Sequence, residues 1–371
     1  MFKINEKDDN IRSAYGMTVA DVTRTGHPDI VVGSTGISMI ALYEGPHFKK
    51  QIISEAHPGT IALSVFDVTG NGRKDVIAGS GFGRRQRIPP EYLHWFQTSE
   101  ESDILNRPTS AQVWTQHFID WVPYLHRIAM VEVNNQPLLF VATLQGPGSH
   151  INDFDAPGEL WCYRIPQDPV NEPWEKRLID GQLRLNHGLS VCDVDGDGRM
   201  DLLLGTRDGL IWFEPPRGDG FEEKWNRWTI SPRESSETFA VDMDGDGINE
   251  ILSIEPWHGN ELVWYKATGD IRTDAWERHL ISDKLNRGHS LWCGDIDSDN
   301  ALEVIAGYNG PGTALHIYRP ENLEAGTWSI EQIDNGIGMG QMAIEDLSGN
   351  GKLDIAASGM STGNVRWYEQ I

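Results

Sequence analysis

Three of the twelve histidines in this chain stand at the same position of a repeated sequence pattern. His126, His187 and His289 each precede by six residues the acidic residue that opens a turn. In a protein built from repeats, equal offsets place side chains at equivalent points of successive units. Imidazole nitrogens that converge from several units suit Zn²⁺ or a related transition metal. The spacing therefore predicts a histidine site, although any one of these histidines alone could simply bond to a neighbouring unit.

A fourth histidine extends this set from a loop. His258 lies in the segment Trp257-His258-Gly259-Asn260, which we expect to connect the second and third strands of one repeat. Neighbouring strands of an antiparallel unit alternate in direction, so this loop and the start of the first strand share a face. His258 is therefore predicted to reach the same site as the other three.

Basic and aromatic residues are predicted on the histidine-bearing face, where long loops commonly build ligand pockets. Arginines there would suit a carboxylate ligand, although surface arginines are also ordinary solubilising residues. One long loop runs from 145 to 158. The residues predicted to contact substrate are Arg84, Arg85, Arg207, Arg287, Trp257 and His150.

The repeat that must position these residues has seven copies. Each contains an apolar strand, a turn and a second apolar strand, followed by an aromatic third strand and, usually, a fourth. The acidic residues at the turns are Asp21, Asp67, Glu132, Asp193, Asp242, Asp295 and Asp346. Their intervals of 46 to 65 residues suit four short strands per unit.

The two ends of the chain complement each other. The seventh unit stops after its third strand, and an orphan strand lies near Phe2–Asn5. Pairing the orphan with the segment 366–369 would close a ring and remove an exposed sheet edge. We therefore predict an all-β fold: one seven-bladed β-propeller domain spanning 1–371, with four-stranded antiparallel blades.

Turns in three units are dense in carboxylates. Oxygen ligands at alternate positions around a sharp turn are what Ca²⁺ requires. The predicted calcium ligands are Asp193, Asp195, Asp197 and Asp201 in blade four, and Asp242, Asp244, Asp246 and Glu250 in blade five. Blade six repeats the pattern with Asp295, Asp297, Asp299 and Glu303. The alternative is that Asp and Gly form hydrogen-bonded turns without an ion.

Charge and composition argue against several classes of protein. The 371 residues include 55 acidic and 31 basic side chains, a formal net charge of −24, which argues against a nucleic-acid partner. There is no run of 18 apolar residues to span a membrane. The N-terminus lacks the apolar stretch of a secretory signal. Three cysteines are too few for a disulfide framework. We expect a cytoplasmic protein, or a secreted one if a leader was removed.

The acidic turns resemble the FG-GAP or VCBS repeats of integrin-type propellers, in which such turns often hold Ca²⁺. Other segments resemble the propeller part of aldos-2-ulose dehydratase. They are Leu125-His126-Arg127, His187 with the following 206–213, His258-Gly259-Asn260, and His289 ahead of Cys293-Gly-Asp-Ile-Asp. The chain is also similar in length and fold to seven-bladed polysaccharide lyases that cleave rhamnosyl–glucuronate linkages.

These resemblances imply one chemistry, a β-elimination. A proton next to a carbonyl or carboxylate is removed, a β oxygen substituent leaves, and a cation stabilises the enolate-like transition state. In this interpretation His187, His258 and His289 hold the metal, a zinc or similar ion or else calcium. His126 serves as base or acid, Arg127 holds the oxyanion or carboxylate, and Tyr124 is the partner acid. The substrate would be an anionic glycan or a keto-sugar.

Two other functions are alternatives to a lyase. A non-catalytic calcium-binding FG-GAP propeller that binds a glycan or protein would need no aligned histidines. A hydrolase of the kind that uses two carboxyl groups would need them paired, and no obvious carboxylate pair lies on the predicted histidine face. The prediction is therefore a metal-assisted carbohydrate lyase or dehydratase.

Overall fold

A computed structural model describes residues 1–83, 91–98, 114–147, 149–150 and 153–371. The described part of the chain contains 28 β-strands and no helix. The first two blades consist of β2 (Ala14–Ala20), β3 (Asp29–Ser34), β4 (Ser38–Glu44) and β5 (Lys49–Pro58), then β6 (Ala62–Phe66), β7 (Asp75–Ser80), β8 (Tyr92–Thr98) and β9 (Trp114–Trp121). The third and fourth are β10 (Leu125–Val133), β11 (Gln136–Thr143), β12 (Leu160–Arg164) and β13 (Glu175–Asp180), then β14 (Gly188–Cys192), β15 (Asp201–Thr206), β16 (Gly209–Glu214) and β17 (Asn226–Ser231).

The remaining blades follow the same order. The fifth and sixth are β18 (Thr238–Val241), β19 (Glu250–Glu255), β20 (Glu261–Ala267) and β21 (Trp276–Ser282), then β22 (Gly288–Gly294), β23 (Glu303–Tyr308), β24 (Ala314–Asn322) and β25 (Thr327–Asp334). The seventh combines β26 (Met339–Glu345), β27 (Asp354–Gly359) and β28 (Val365–Gln370) with β1 (Phe2–Asp8). The predicted seven-bladed β-propeller with four-stranded antiparallel blades is confirmed.

Burial explains why the second strand of each unit reads as a continuous apolar run. In β3, β15 and β19 every residue is buried, because both faces of the strand are covered. The fourth strand is more exposed, as in β25, where only the last of eight residues is buried. This difference produces the repeated pattern of apolar, aromatic and mixed strands in the sequence.

The N-terminal strand completes the last blade, as predicted. β1 pairs antiparallel with β28, with Phe2 opposite Gln370 and Ile4 opposite Tyr368. The ion pair between Lys3 and Glu369 spans the same seam at 2.9 Å. This pairing covers an edge of β28 that would otherwise be exposed.

The chain consists of two compact units. The first contains Met1–Met130, Ile165–Glu175 and Gly340–Ile371, and the second contains Val131–Arg164 and Lys176–Met339. The first has apolar clusters around Ile30 and Val76, and the second around Leu202, Leu252 and Trp212. The single domain spanning 1–371 stays a prediction.

Two glycines in the second unit allow neighbouring blades to approach closely. A Cβ atom at Gly188 or at Gly205 would lie 2.1 Å from the carbonyl oxygen of Ser236, closer than side-chain carbons can come. Gly188 directly follows His187, so this contact fixes the backbone at a residue of the predicted site.

In the described ranges, no helix is long and apolar enough to cross a membrane.

Candidate functional site

The start of the first strand has a repeated backbone shape. Four residues there have left-handed φ values of 54° to 61°: Ser13, Tyr124, Leu185 and Arg287. Each stands two residues before the common position, which itself lies six residues before the acidic residue of the turn. Left-handed backbone costs a non-glycine residue roughly 1–2 kcal/mol, so its recurrence indicates that surrounding structure enforces it. The residues at the common position are Tyr15, Ile61, His126, His187, Ser236, His289 and Gly340.

The structure brings three of the four predicted histidines together in the second unit. One ring nitrogen from each of His187, His258 and His289 lies within 4.8 Å of those of the other two. The Nε2 atoms of His187 and His258 are 3.0 Å apart. The ring centroid of His289 lies 5.4 Å from that of His187 and 4.8 Å from that of His258. We call these three residues the histidine triad.

The loop that carries His258 is held rigidly. His258 has a φ of 47°, and its ring stacks on Trp257 with the centroids 4.5 Å apart. The backbone N–H of Gly259 donates to the carbonyl of Pro256 at 2.8 Å. The carbonyl of Gly259 accepts a hydrogen bond of 2.9 Å from the N–H of Gly288, the neighbour of His289. The loop is thus attached to the strand that carries a second member of the triad.

His187, one of the two buried members of the triad, has polar partners on its Nδ1 nitrogen. His187 is almost completely buried, and its Nδ1 lies 3.2 Å from Ser236 Oγ and 3.1 Å from Glu237 Oε1. A carboxylate beside Nδ1 favours the tautomer that carries its proton there. The lone pair of Nε2 then faces His258.

This arrangement fits a metal ion. Zinc bound by imidazole at about 2.0–2.1 Å would hold tetrahedral ligand nitrogens about 3.3 Å apart, close to the separation of the two Nε2 atoms. Three imidazoles leave one position for another ligand, which is typical of catalytic rather than structural zinc sites. A direct N–H···N hydrogen bond between His187 and His258 would satisfy the same distance without an ion.

His126 lies in the first unit in a separate buried cluster. Its Nε2 is 3.5 Å from the hydroxyl of Tyr15, and its ring packs against Phe82. The guanidinium of the buried Arg127 donates to the same hydroxyl at 3.4 Å and lies over the Tyr15 ring. The predicted partners His126 and Arg127 therefore meet at one phenol.

Sequence reasoning missed Tyr15, although the signal was present. Tyr15 stands six residues before Asp21, the same offset that selected the histidines. Only the restriction to histidine excluded it, and Ser236 was missed for the same reason. The predicted acid Tyr124 is buried, and its backbone N–H donates to Glu91 Oε2 at 2.8 Å.

The predicted substrate contacts are only partly brought together. Trp257 packs against His258 on one side and against Phe154 at 4.9 Å. Arg207 is half-buried and donates to Asp155 at 2.8 Å. Arg287 and His150 are exposed. Arg84 and Arg85 lie outside the described residues.

The acidic turns share one backbone design whether or not they are rich in carboxylates. In blade four the N–H of Gly198 donates to Asp193 at 2.8 Å. The turn of blade two repeats this bond from Gly72 to Asp67 at 2.7 Å, with Thr69 and Asn71 where blade four has Asp195 and Asp197. The shape of the turn therefore does not require the two middle carboxylates.

The extra carboxylates of three turns do cluster. Carboxylate oxygens lie within 4.8 Å of one another in three sets: Asp193, Asp195 and Asp197; Asp242, Asp244 and Asp246; Asp295, Asp297 and Asp299. The predicted fourth ligands Asp201 and Glu250 are not in these sets. Each is buried and accepts a backbone N–H, from Val194 and Met243 respectively, at 2.8 Å. Burial raises the pKa of both carboxyls to about 7.

Basic side chains contact each carboxylate set. Arg272 donates to Asp195 at 2.5 Å and to Glu214 at 2.8 Å. Lys266 bonds to Asp244 and lies 3.3 Å from Asp246. Arg319 lies 3.5 Å from Asp297. A calcium ion in any of these turns would compete with a cation that the chain itself supplies.

Comparison with known proteins supports the class. The model of the FG-GAP-like repeat matches residues 193–253 and 242–306. Together with the seven blades, this match supports the class of FG-GAP β-propellers. No curated protein sequence matched the chain.

Solved structures are similar in fold. The chain resembles BBS1N, crystallised in complex with ARL6DN. With the mercury-soaked crystal the TM-score is 0.57 at 10% identity, covering 99% of this chain and 95% of that one. With the lead-soaked crystal the TM-score is 0.59 at 9% identity, covering 97% and 93%. An Agrocybe aegerita lectin that recognises non-reducing terminal N-acetylglucosamine has a TM-score of 0.49 at 13% identity, covering 97% and 86%. At these identities the likeness to BBS1N shows the fold alone.

Proposed function

We propose that this protein is a metal-assisted carbon–oxygen lyase that performs β-elimination on a carbohydrate, either a uronate glycan or a keto-sugar. The observation that carries the proposal is the histidine triad, three imidazoles from three successive blades with one ring nitrogen of each within 4.8 Å of those of the others. A non-catalytic propeller has no need for such a cluster. Bound there, a divalent cation would stabilise the negative charge that develops on the substrate oxygen during proton abstraction.

The residues of the chain supply binding and orientation around the triad. The aromatic pair of Trp257 and Phe154 offers an apolar face beside His258, against which a sugar ring can stack. Arg207 is half-buried, and it donates to Asp155 and to the backbone carbonyl of Phe154. It suits a carboxylate ligand.

The proton-transfer roles stay those that the sequence predicts for residues of the first unit. His126 is the predicted base or acid. The guanidinium of Arg127 can hold an oxyanion or carboxylate. Tyr124 was the predicted acid, and Tyr15 is a second candidate because its hydroxyl contacts both His126 and Arg127.

Incubation with a panel of uronate glycans and keto-sugars tests this function. Elimination creates a C=C bond conjugated to a carboxylate or carbonyl, which the ultraviolet absorbance records. We expect turnover in the wild-type protein and its loss in His187→Gln. His126→Ala should reduce turnover roughly 10²- to 10⁴-fold. The matched control is His47→Gln, an exposed histidine outside the triad.

Binding without turnover on that panel would favour the second function, a propeller that binds a glycan or a protein. The structural neighbour BBS1N was crystallised in complex with ARL6DN, so a propeller of this shape can serve as a protein-binding module. In that case the His187→Gln protein would bind its partner as the wild type does.

A further inference from the structure

We propose that Ser236 and Glu237 are positioning residues that hold His187 as its Nδ1–H tautomer and so present Nε2 to the metal. The inference rests on the proposed function, since it assigns a role at the same triad. Sequence reasoning gave neither residue a role.

The geometry at Nδ1 supports this role. Two oxygen atoms approach the same ring nitrogen, Ser236 Oγ at 3.2 Å and Glu237 Oε1 at 3.1 Å. A serine hydroxyl can accept the Nδ1 proton, and the carboxylate favours the proton at that nitrogen electrostatically. Metal-ligating histidines commonly donate their second N–H to a carboxylate or other acceptor, which fixes the tautomer and the ring orientation.

The backbone that carries these acceptors is rigid. The N–H of Ser236 donates to the carbonyl of Ile254 at 2.9 Å, and the carbonyl of Glu237 accepts from the N–H of Ile254 at 3.1 Å. Ser236 is fully buried and lies against Gly188 of the blade that carries His187. The two acceptors therefore come from the next blade and are set by blade-to-blade packing.

A different role would have different consequences. If Glu237 were itself a metal ligand, replacing its carboxylate with an amide would remove a charged ligand atom. If it orients His187, the amide oxygen of Glu237→Gln can still accept the Nδ1 proton, and Glu237→Leu cannot. The glutamine variant therefore separates orientation from direct ligation.

The experiment measures Co²⁺ affinity and the visible spectrum of the bound Co²⁺ at constant pH. We expect Glu237→Leu to weaken binding about 10- to 100-fold, the range found for loss of such supporting partners. Ser236→Ala should weaken it less, and Glu237→Gln should restore most of the affinity and the wild-type spectrum. Glu277→Leu, on an exposed stretch of β21, is the matched control and should bind as the wild type does.

A metal-free measurement accompanies it. Proteins labelled with ¹⁵N-histidine report the tautomer of each ring, and His187→Gln assigns the signal. The wild type should show His187 protonated at Nδ1, and Glu237→Leu should shift it toward the other tautomer.

The outcomes separate the two claims. If His187→Gln loses Co²⁺ while Glu237→Leu keeps wild-type affinity and tautomer, the positioning role is wrong and the metal site stands. Equal losses in Glu237→Gln and Glu237→Leu overturn orientation in favour of direct ligation. If His187→Gln binds Co²⁺ as the wild type does, the metal site fails, and the tautomer measurement alone decides the role of Glu237.

Discussion

At the residue scale, one offset selects chemically different side chains. The position six residues before the turn carries His187 and His289, but also Ser236 and Tyr15, and all four lie at the two buried clusters described above. The offset could be read from the sequence because repeats share backbone geometry. Glu237 could not be foreseen, because its place beside His187 depends on how one blade packs on the next.

Two histidines outside the predicted site, His57 and His94, lead to a prediction about how stability depends on pH. His94 is fully buried, and its ring packs against those of Tyr92 and Phe96. The ring of His57 lies 4.2 Å away, held by hydrogen bonds to Tyr92 and Gln116. Burial holds the pKa of His94 well below its usual value, and His57 lowers it further.

The direction in which stability changes with pH follows from the difference in proton binding between the folded and the unfolded chain. Folded His94 stays neutral, whereas the unfolded chain takes up a proton below about pH 6.5, so stability falls as the pH falls through that value. His94→Leu should reduce this acid-side loss, measured by urea unfolding at pH 7 and pH 5. His47→Leu, at an exposed site, should leave the loss unchanged. An unaltered pH dependence in His94→Leu would show that His94 does not contribute to it.

At the element scale, the acidic turns can be located from the sequence, but the sequence does not decide whether they bind calcium. The Asp-Gly spacing located turns such as those of blades two and four, because the first carboxylate accepts a backbone N–H from the glycine five residues later. Arg272, Lys266 and Arg319 come from other strands or loops, so their contacts with the carboxylates depend on the folded arrangement and had no local signal.

The calcium prediction concerns these turns. If Ca²⁺ binds at Asp193–Asp197 and Asp242–Asp246, excess chelator should lower the thermal midpoint, because an ion bound only to the folded state stabilises it. Asp244→Asn should reduce that calcium dependence. Asp346→Asn is the control, since its turn makes the same backbone bonds, as in the N–H of Gly351 to Asp346 at 2.8 Å, outside the three carboxylate sets.

Calorimetry with and without calcium provides the measurement. An identical midpoint in chelator and in calcium, for the wild-type protein, would mean that the internal cations satisfy these turns. Lys266→Met then becomes informative, because removing the competing ammonium should create or strengthen calcium binding at Asp244 and Asp246.

At the scale of the whole molecule, the repeat period and the orphan strand were enough to predict the fold. Counting seven turns gave seven blades, and the missing fourth strand of the last unit gave the pairing of β1 with β28. Both inferences depend on the number of strands and on unpaired sheet edges, which can be counted in the sequence. The side-chain contacts between blades cannot be predicted from the sequence in this way.

Ring closure predicts a stability loss on truncation. Deleting residues 1–8 removes the strand that pairs with β28 and exposes its edge. The free energy of unfolding should fall by roughly 1 kcal/mol for each hydrogen bond lost, and the exposed edge should promote self-association. Lys3→Ala removes only a surface ion pair and should cost less than about 1 kcal/mol. Equal stability of the truncated and intact proteins in urea unfolding would refute the closure argument.

The central claim is that the histidine triad holds a metal ion, and metal content tests it most directly. Each protein is loaded with Zn²⁺, passed through a desalting column and analysed for metal per chain by mass spectrometry, in chelator-free buffer. The account predicts that wild-type protein and His47→Gln retain one more zinc per chain than His187→Gln, His258→Gln and His289→Gln, with all five proteins folded by circular dichroism. Equal zinc content in all five would contradict it.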